Sequence, residues 1–138
     1  GTTPSIGTRW PAHTTSTGKV LLAAARAGDL EPAQAAQLKA EAPLRRFTER
    51  TITSRAALDA ELARVTEQGQ AMVVGELEPD FVAVGAAVRN HLGQVVAAIS
   101  IGGPASRLKA EARLRAGRLL RQATARVSER LGWSGTGR

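Results

Sequence analysis

The fragment Thr17-Gly18-Lys19 has residue types that could handle a phosphate. A nucleotide-binding loop needs another Gly five positions before that Gly, so that the backbone can wrap the phosphate, and a hydroxyl after the Lys to meet magnesium. His13 and Val20 stand at those places, so the nucleotide reading fails. What survives is a helix start. The first turn over residues 15–18 presents amide hydrogens and the positive end of a helix dipole, suited to a small carboxylate, although the same hydroxyls could do no more than cap the helix. A hydrolytic triad finds no support, because Ser100 sits inside an apolar run and no Gly-x-Ser-x-Gly turn exists. Glu76, Glu78 and Asp80 surround Pro79 and read as a solvated turn rather than an acid/base pair. His91 falls at a hairpin tip, and His13, just ahead of the helix start, could orient a ligand or donate to a neighbouring carbonyl. With no Cys and two distant His, the chain offers no thiol nucleophile or disulfide and a weak case for a metal; it calls for no cofactor and no catalysis.

These groups must be held by elements that the spacing predicts. Residues 1–13, with Pro4, Gly7 and Pro11, read as an extended lead-in. A helix follows over 14–27 with Gly28 as its stop, and a short one over 32–41 opens on Pro32 and closes before Pro43. Thr53 or Ser54 caps a third, with Ala57, Leu58, Leu62 and Val65 on one face and Gly69 at its end. The period then changes to that of strands at 71–74, 81–88 and 94–101, the last two joined by Asn90-His91-Leu92-Gly93 as an antiparallel hairpin. Alternation puts Phe81, Ala83, Gly85 and Ala87 on one side of the middle strand, leaving room for a packed helix or a ligand cavity. Gly102-Gly103-Pro104 reads as the end of the sheet. A long helix over 105–131 carries Leu108, Ala112, Leu119, Ala123 and Val127 as an apolar stripe, with Arg107, Arg115, Arg118 and Arg121 opposite it on the solvent side. Residues 132–138 read as a flexible tail.

Length and charge narrow the function classes. A chain of 138 residues, 43% hydrophobic and 22% charged, is one folding domain, neither disordered nor membrane-spanning, and cytoplasmic by default. The net charge of +7 is local: residues 1–106 hold ten basic and ten acidic side chains, whereas 107–138 hold nine and two. A small basic nucleic-acid-binding protein acting through the last helix is therefore an alternative function, weakened by the near absence of stacking aromatics.

In order along the chain, Pro11-Ala12-His13-Thr14-Thr15-Ser16-Thr17-Gly18-Lys19-Val20-Leu21-Leu22-Ala23, Phe47-Thr48, Thr51-Ile52-Thr53 and Leu58-Asp59-Ala60-Glu61-Leu62 with Gly69 resemble the effector-binding domain of the IclR family of bacterial transcription regulators. Gly75-Glu76-Leu77-Glu78-Pro79, Val88-Arg89-Asn90 and the run from Gly93 to Pro104, followed by Arg107-Leu108, continue the resemblance, which covers residues 9–131. It implies an α+β, GAF-like antiparallel sheet flanked by helices with a long C-terminal helix. It also implies a small-molecule effector, a homo-oligomer (dimer or tetramer), and DNA contact only through a winged helix-turn-helix domain outside this chain. Residues 1–138 would then be a single effector-binding domain fragment with exposed sheet edge or apolar surface. In the family the effector is held by amides near the helix start, here Ser16, Thr17 and Gly18, and by side chains from the strands. The resemblance puts those strand positions on Val73, Ala83, Ser100 and Gly102, with His13 nearby. Only Ser100 of these four strand residues has a polar side chain, which implies a roomier site for an aromatic or partly apolar acid.

Overall fold

The computed structural model describes residues 11–39 and 43–135. They form α1 (Ser16–Ala27), α2 (Pro32–Lys39), α3 (Arg55–Gln68), β1 (Ala71–Val74), β2 (Phe81–Arg89), β3 (Val95–Pro104) and α4 (Ala110–Arg130), with a 3-10 turn over Ala12–Thr14 ahead of α1. The architecture is α+β. Local chemistry sets the helix ends. Thr15 Oγ1 accepts the Gly18 amide at 2.9 Å and Ser54 Oγ accepts that of Ala57 at 3.1 Å, satisfying donors that have no partner inside a first turn. Gly28 and Gly69 end α1 and α3 in the left-handed region, at φ 78° and 72°.

The strands pair antiparallel in the order β1-β2-β3. Register puts Val73, Ala83 and Gly102 in one row across the sheet and Ala71, Gly85 and Ser100 in the next, all on one face. That face carries α1. A Cβ on Gly85 would stand 3.0 Å from the carbonyl of Ser16, so the small side chains of β2 make room for a helix in close contact. Val20 and Ala23 of α1 join Leu58, Leu62 and Val65 of α3 and Ala71 of β1 in the main core. Full burial of a side chain such as Leu58 contributes about 1.5–3 kcal/mol.

Several features depart from the sequence reading. The strand does not break at Gly102: β3 runs through both glycines to Pro104, with Gly102 paired to Ala83 and Gly103 to Val82. The Phe81 ring lies over Gly102, covering backbone that glycine leaves bare, and Pro104 sits at the strand end, where a missing amide is tolerated. The last helix begins at Ala110, after a turn in which the Arg107 and Leu108 amides donate to Pro104 O. Its buried face is not the predicted stripe. Ala116, Gly117, Leu120, Thr124 and Ser128 are buried, whereas Leu119 and Val127 remain 63% and 43% exposed. The bulk on that side of the sheet comes from Val82, Val84 and Val88, so a helix lying close on them needs small residues rather than large ones. Arg115 and Arg118 are exposed, but Arg121 is half-buried and donates to Gln70 Oε1 at 2.7 Å, so it is not a solvent-side residue. Ala57 faces solvent.

Of the expected lead-in, residues 1–10 lie outside the described residues, and Ala12–Thr14 is turned rather than extended. Of the expected tail, residues 136–138 lie outside them, and the Trp133 amide donates to Ser128 O at 3.0 Å. The end of the short helix at residues 40 and 41 also lies outside them. Among the described residues no helix is long and apolar enough to cross a membrane.

Candidate functional site

A groove of about 500 Å³ opens between the start of α1, α2 and the first half of β3. Thr17 and Gly18 line it from α1, Gln34 and Gln37 from α2, and residues 95–98 from β3, with Leu21, Leu30 and Leu38 giving it an apolar floor. Among the amides of the first turn, that of Gly18 is taken by Thr15 Oγ1, which leaves those of Ser16 and Thr17 at the positive end of the helix. The hydroxyl caps the helix, as one of the two readings of this segment expects.

The other expected site residues are placed differently. Ser16 is buried against Gly85. His13 is 3% exposed, with Nε2 2.9 Å from the carbonyl of Arg45 and its ring 6.3 Å from that of Phe47, so it ties the 3-10 turn to the 43–53 segment. Val73 and Ala83 are buried, Gly102 lies under Phe81, and Ser100 is exposed two positions beyond Ala98 at the groove. Val73, Ala83 and Gly102 thus share a row, but they do not line the groove. Gln34 and Gln37 do, and nothing in their local sequence singles them out; they reach the groove only because α2 folds back beside α1.

Lys19 takes a structural place. Its side chain is fully buried, and the ammonium meets Glu61 Oε2 at 2.6 Å, Glu76 Oε1 at 2.8 Å and the Met72 carbonyl at 2.9 Å. Glu76 is therefore not part of a solvated turn: one oxygen faces Lys19 and the other accepts the Val74 amide at 3.1 Å. Glu78 and Asp80 are exposed as expected. The loop is tied down further by Thr48 and Thr51, whose hydroxyls donate at 2.6 Å to the carbonyls of Gly75 and Glu76. Burial pushes the Glu61 carboxyl up, but hydrogen bonds and charge from Lys19, joined by Arg64, outweigh it and hold it below its ordinary value of 4.5. A carboxyl lowered in the fold stabilises above its unfolded pKa, and that contribution disappears as pH falls through the folded value. Unfolding midpoints should therefore drop as pH descends from about 4.5. Glu61→Gln should flatten that drop; a slope identical to the parent's would exclude Glu61 as its source. Among the described residues no group of three His, Asp or Glu could hold a metal.

An antiparallel sheet with a helix seated by its first turn on a glycine of the middle strand, and a groove at that turn, defines a ligand-holding α+β domain. The model of the family described as bacterial transcriptional regulator IclR C-terminal matches residues 2–129, and the chain belongs to that family. It is 34% identical over 127 residues to the HTH-type transcriptional repressor AllR of Salmonella typhi, covering 92% of this chain and 45% of AllR. Among solved structures it is similar to the C-terminal domain of the Escherichia coli transcriptional regulator KdgR, at 32% identity and TM-score 0.76, covering 92% of this chain and 74% of that one. It is also similar to a double mutant of the PobR inducer-binding domain from Acinetobacter in complex with 3-hydroxybenzoic acid, at 28% identity and TM-score 0.74, covering 88% and 67%. The chain spans less than half the length of the curated relatives AllR and BhcR.

Proposed function

We propose that this chain senses a small organic acid, with an aromatic or partly apolar body, for an IclR-type transcription regulator. The observation that carries this reading is the groove at the start of α1, where Thr17 and Gly18 line a cleft floored by leucines and the cap leaves the amides of Ser16 and Thr17 untaken. The amides suit the carboxylate and the floor suits the body of the ligand. The domain performs no chemistry. It shifts the populations of a homo-oligomer, dimer or tetramer, whose DNA contacts belong to a separate domain. PobR supports the ligand class, since its inducer-binding domain holds an aromatic acid.

The test is a thermal-shift panel of aliphatic and aromatic acids, with random duplex DNA at low and high salt beside it. A ligand at a hundredfold excess over its Kd stabilises by about 2.7 kcal/mol, a visible rise in midpoint. A selective rise with one acid class supports the sensor. A rise with DNA alone, lost at high salt, moves the function to the basic last helix. For an acid found this way, Ser100→Ala is expected to weaken binding about 3- to 10-fold by calorimetry, the worth of one hydrogen bond. Unchanged affinity would remove Ser100 from the site.

A further inference from the structure

Behind the groove, on the other side of α1, lies a second cavity of about 220 Å³. It sits where β2 runs on past the start of β1: β1 pairs only as far as Gly85, and among the described residues the rest of β2 has no strand on that side. Helices close the gap instead. Ala23, Ala24 and Ala27 of α1, Val65 of α3, Ala87 of β2 and Ala125 of α4 give the cavity apolar walls, and Trp133 also lines it.

The polar groups at its wall are nearly all engaged. Thr66 donates to Leu62 O, Thr124 to Arg121 O, and Ser128 both donates to Thr124 O and accepts the Arg89 amide. Arg89 pairs with Asp29 at 3.1 Å, so those two charges offset each other. Arg121 differs. Its Nη1 donates to Gln70 Oε1, which fixes the side chain, but among the described residues it has no carboxylate partner. Gln70 is itself buried against Gly117, where a Cβ would meet its Oε1 at 2.4 Å, so the support is rigid. A half-buried guanidinium with most of its donors unused, at the wall of an alanine-lined cavity, has the chemistry that recognises a carboxylate in bidentate fashion.

We infer that this cavity is a second ligand site, separate from the groove, which takes a small monocarboxylate with a single apolar ring. Its size fits that class: an apolar cavity of about 150 Å³ admits benzene, and 220 Å³ leaves space for the acid group beside Arg121.

Trp133 supplies the readout. Trp10→Phe leaves it as the single tryptophan of the 138-residue chain, and benzoate can be titrated against its emission, with benzamide as the uncharged isostere. Expected is a saturable change with benzoate that weakens at least tenfold with benzamide and in Arg121→Gln, and that persists in Ser100→Ala. Ala125→Phe, which fills the cavity one helical turn along from Arg121 and leaves its charge in place, should abolish it, and this variant carries the test if Arg121→Gln fails to fold. Absence of any saturable change up to about 10 mM, above the millimolar range of weak small-ligand sites, overturns the inference. So does equal binding of benzamide, or a response kept in Ala125→Phe, which would place benzoate outside this cavity. Failure here leaves the groove and its effector untouched, because the two sites answer to different substitutions.

Discussion

Lys19→Met should lower the stability of the domain by about 3–5 kcal/mol, the range for breaking a buried ion pair from one side. Methionine keeps the apolar stem packed, so the loss is that of the charge. Without the ammonium, the carboxylates of Glu61 and Glu76, each 12% exposed, face one another across the space it held. Arg64 offsets part of the charge on Glu61, but Glu76 has no such second cation among the described residues. Urea unfolding at neutral pH measures the effect. Adding Glu61→Gln and Glu76→Gln to Lys19→Met should recover a large part of the loss, since neutral amides need no counter-ion; in the parent the same two changes should destabilise. A midpoint unmoved by Lys19→Met would show that the cluster does not hold α1 to α3 and the sheet.

Gly18→Ala is the second large effect, and its sign is informative. In an ordinary helix interior alanine is favoured over glycine by about 1 kcal/mol. Here the added Cβ would stand 2.2 Å from the carbonyl oxygen of Ala12 and 2.5 Å from its Cα, contacts with backbone rather than with a side chain that could swing away. The 3-10 turn cannot yield cheaply, because both the amide and the hydroxyl of Thr14 are bound to Pro11 O. Overpacking of this kind costs about 1–3 kcal/mol or more, so the clash outweighs propensity. Thermal unfolding should show Gly18→Ala destabilised and any groove ligand weakened, since Ala12 and Gly18 are both at its wall. Gly103→Ala, where no atom lies within 4 Å and φ is not positive, should be neutral or stabilised by about 0.4–1 kcal/mol. If both substitutions moved the midpoint alike, close approach at Gly18 would not be the cause.

What could be read from the chain was whatever depends on near neighbours. The Ser54 cap, the stops at Gly28 and Gly69, and the hairpin at Asn90, whose Oδ1 accepts the Leu92 and Gln94 amides, are each settled within a few residues. The face that α4 buries was not, because periodicity identifies stripes but not which stripe meets the sheet. Leu119 and Val127 form the more apolar stripe, yet Val82, Val84 and Val88 already fill the space, and the helix turns its small buried residues inward, Gly117 onto Gln70 and Ser128 onto the Arg89 amide. The place of Lys19 is illegible for a related reason: its partner Glu61 stands 42 positions away, and no local pattern reports such a pairing. At the groove, Thr17 and Gly18 were found through the helix start they belong to, whereas Gln34 and Gln37 enter only through the folding back of α2. The glycines before Pro104 misled because backbone freedom there goes unused; cross-strand pairing and the Phe81 ring hold them extended.

The bond from the Arg89 amide to Ser128 Oγ, 2.9 Å long, has a consequence for how motion in this domain can be observed. An amide at the end of a strand, on the side where no strand pairs with it among the described residues, ordinarily exchanges its proton with solvent quickly, but this one is shielded by a side chain of another element. Its exchange lifetime therefore measures how often α4 leaves its seat on β2, and does so without any label. Read in deuterium oxide with and without ligand, that single proton acts as a clock for the helix, ticking faster when α4 loosens and slower when it is clamped.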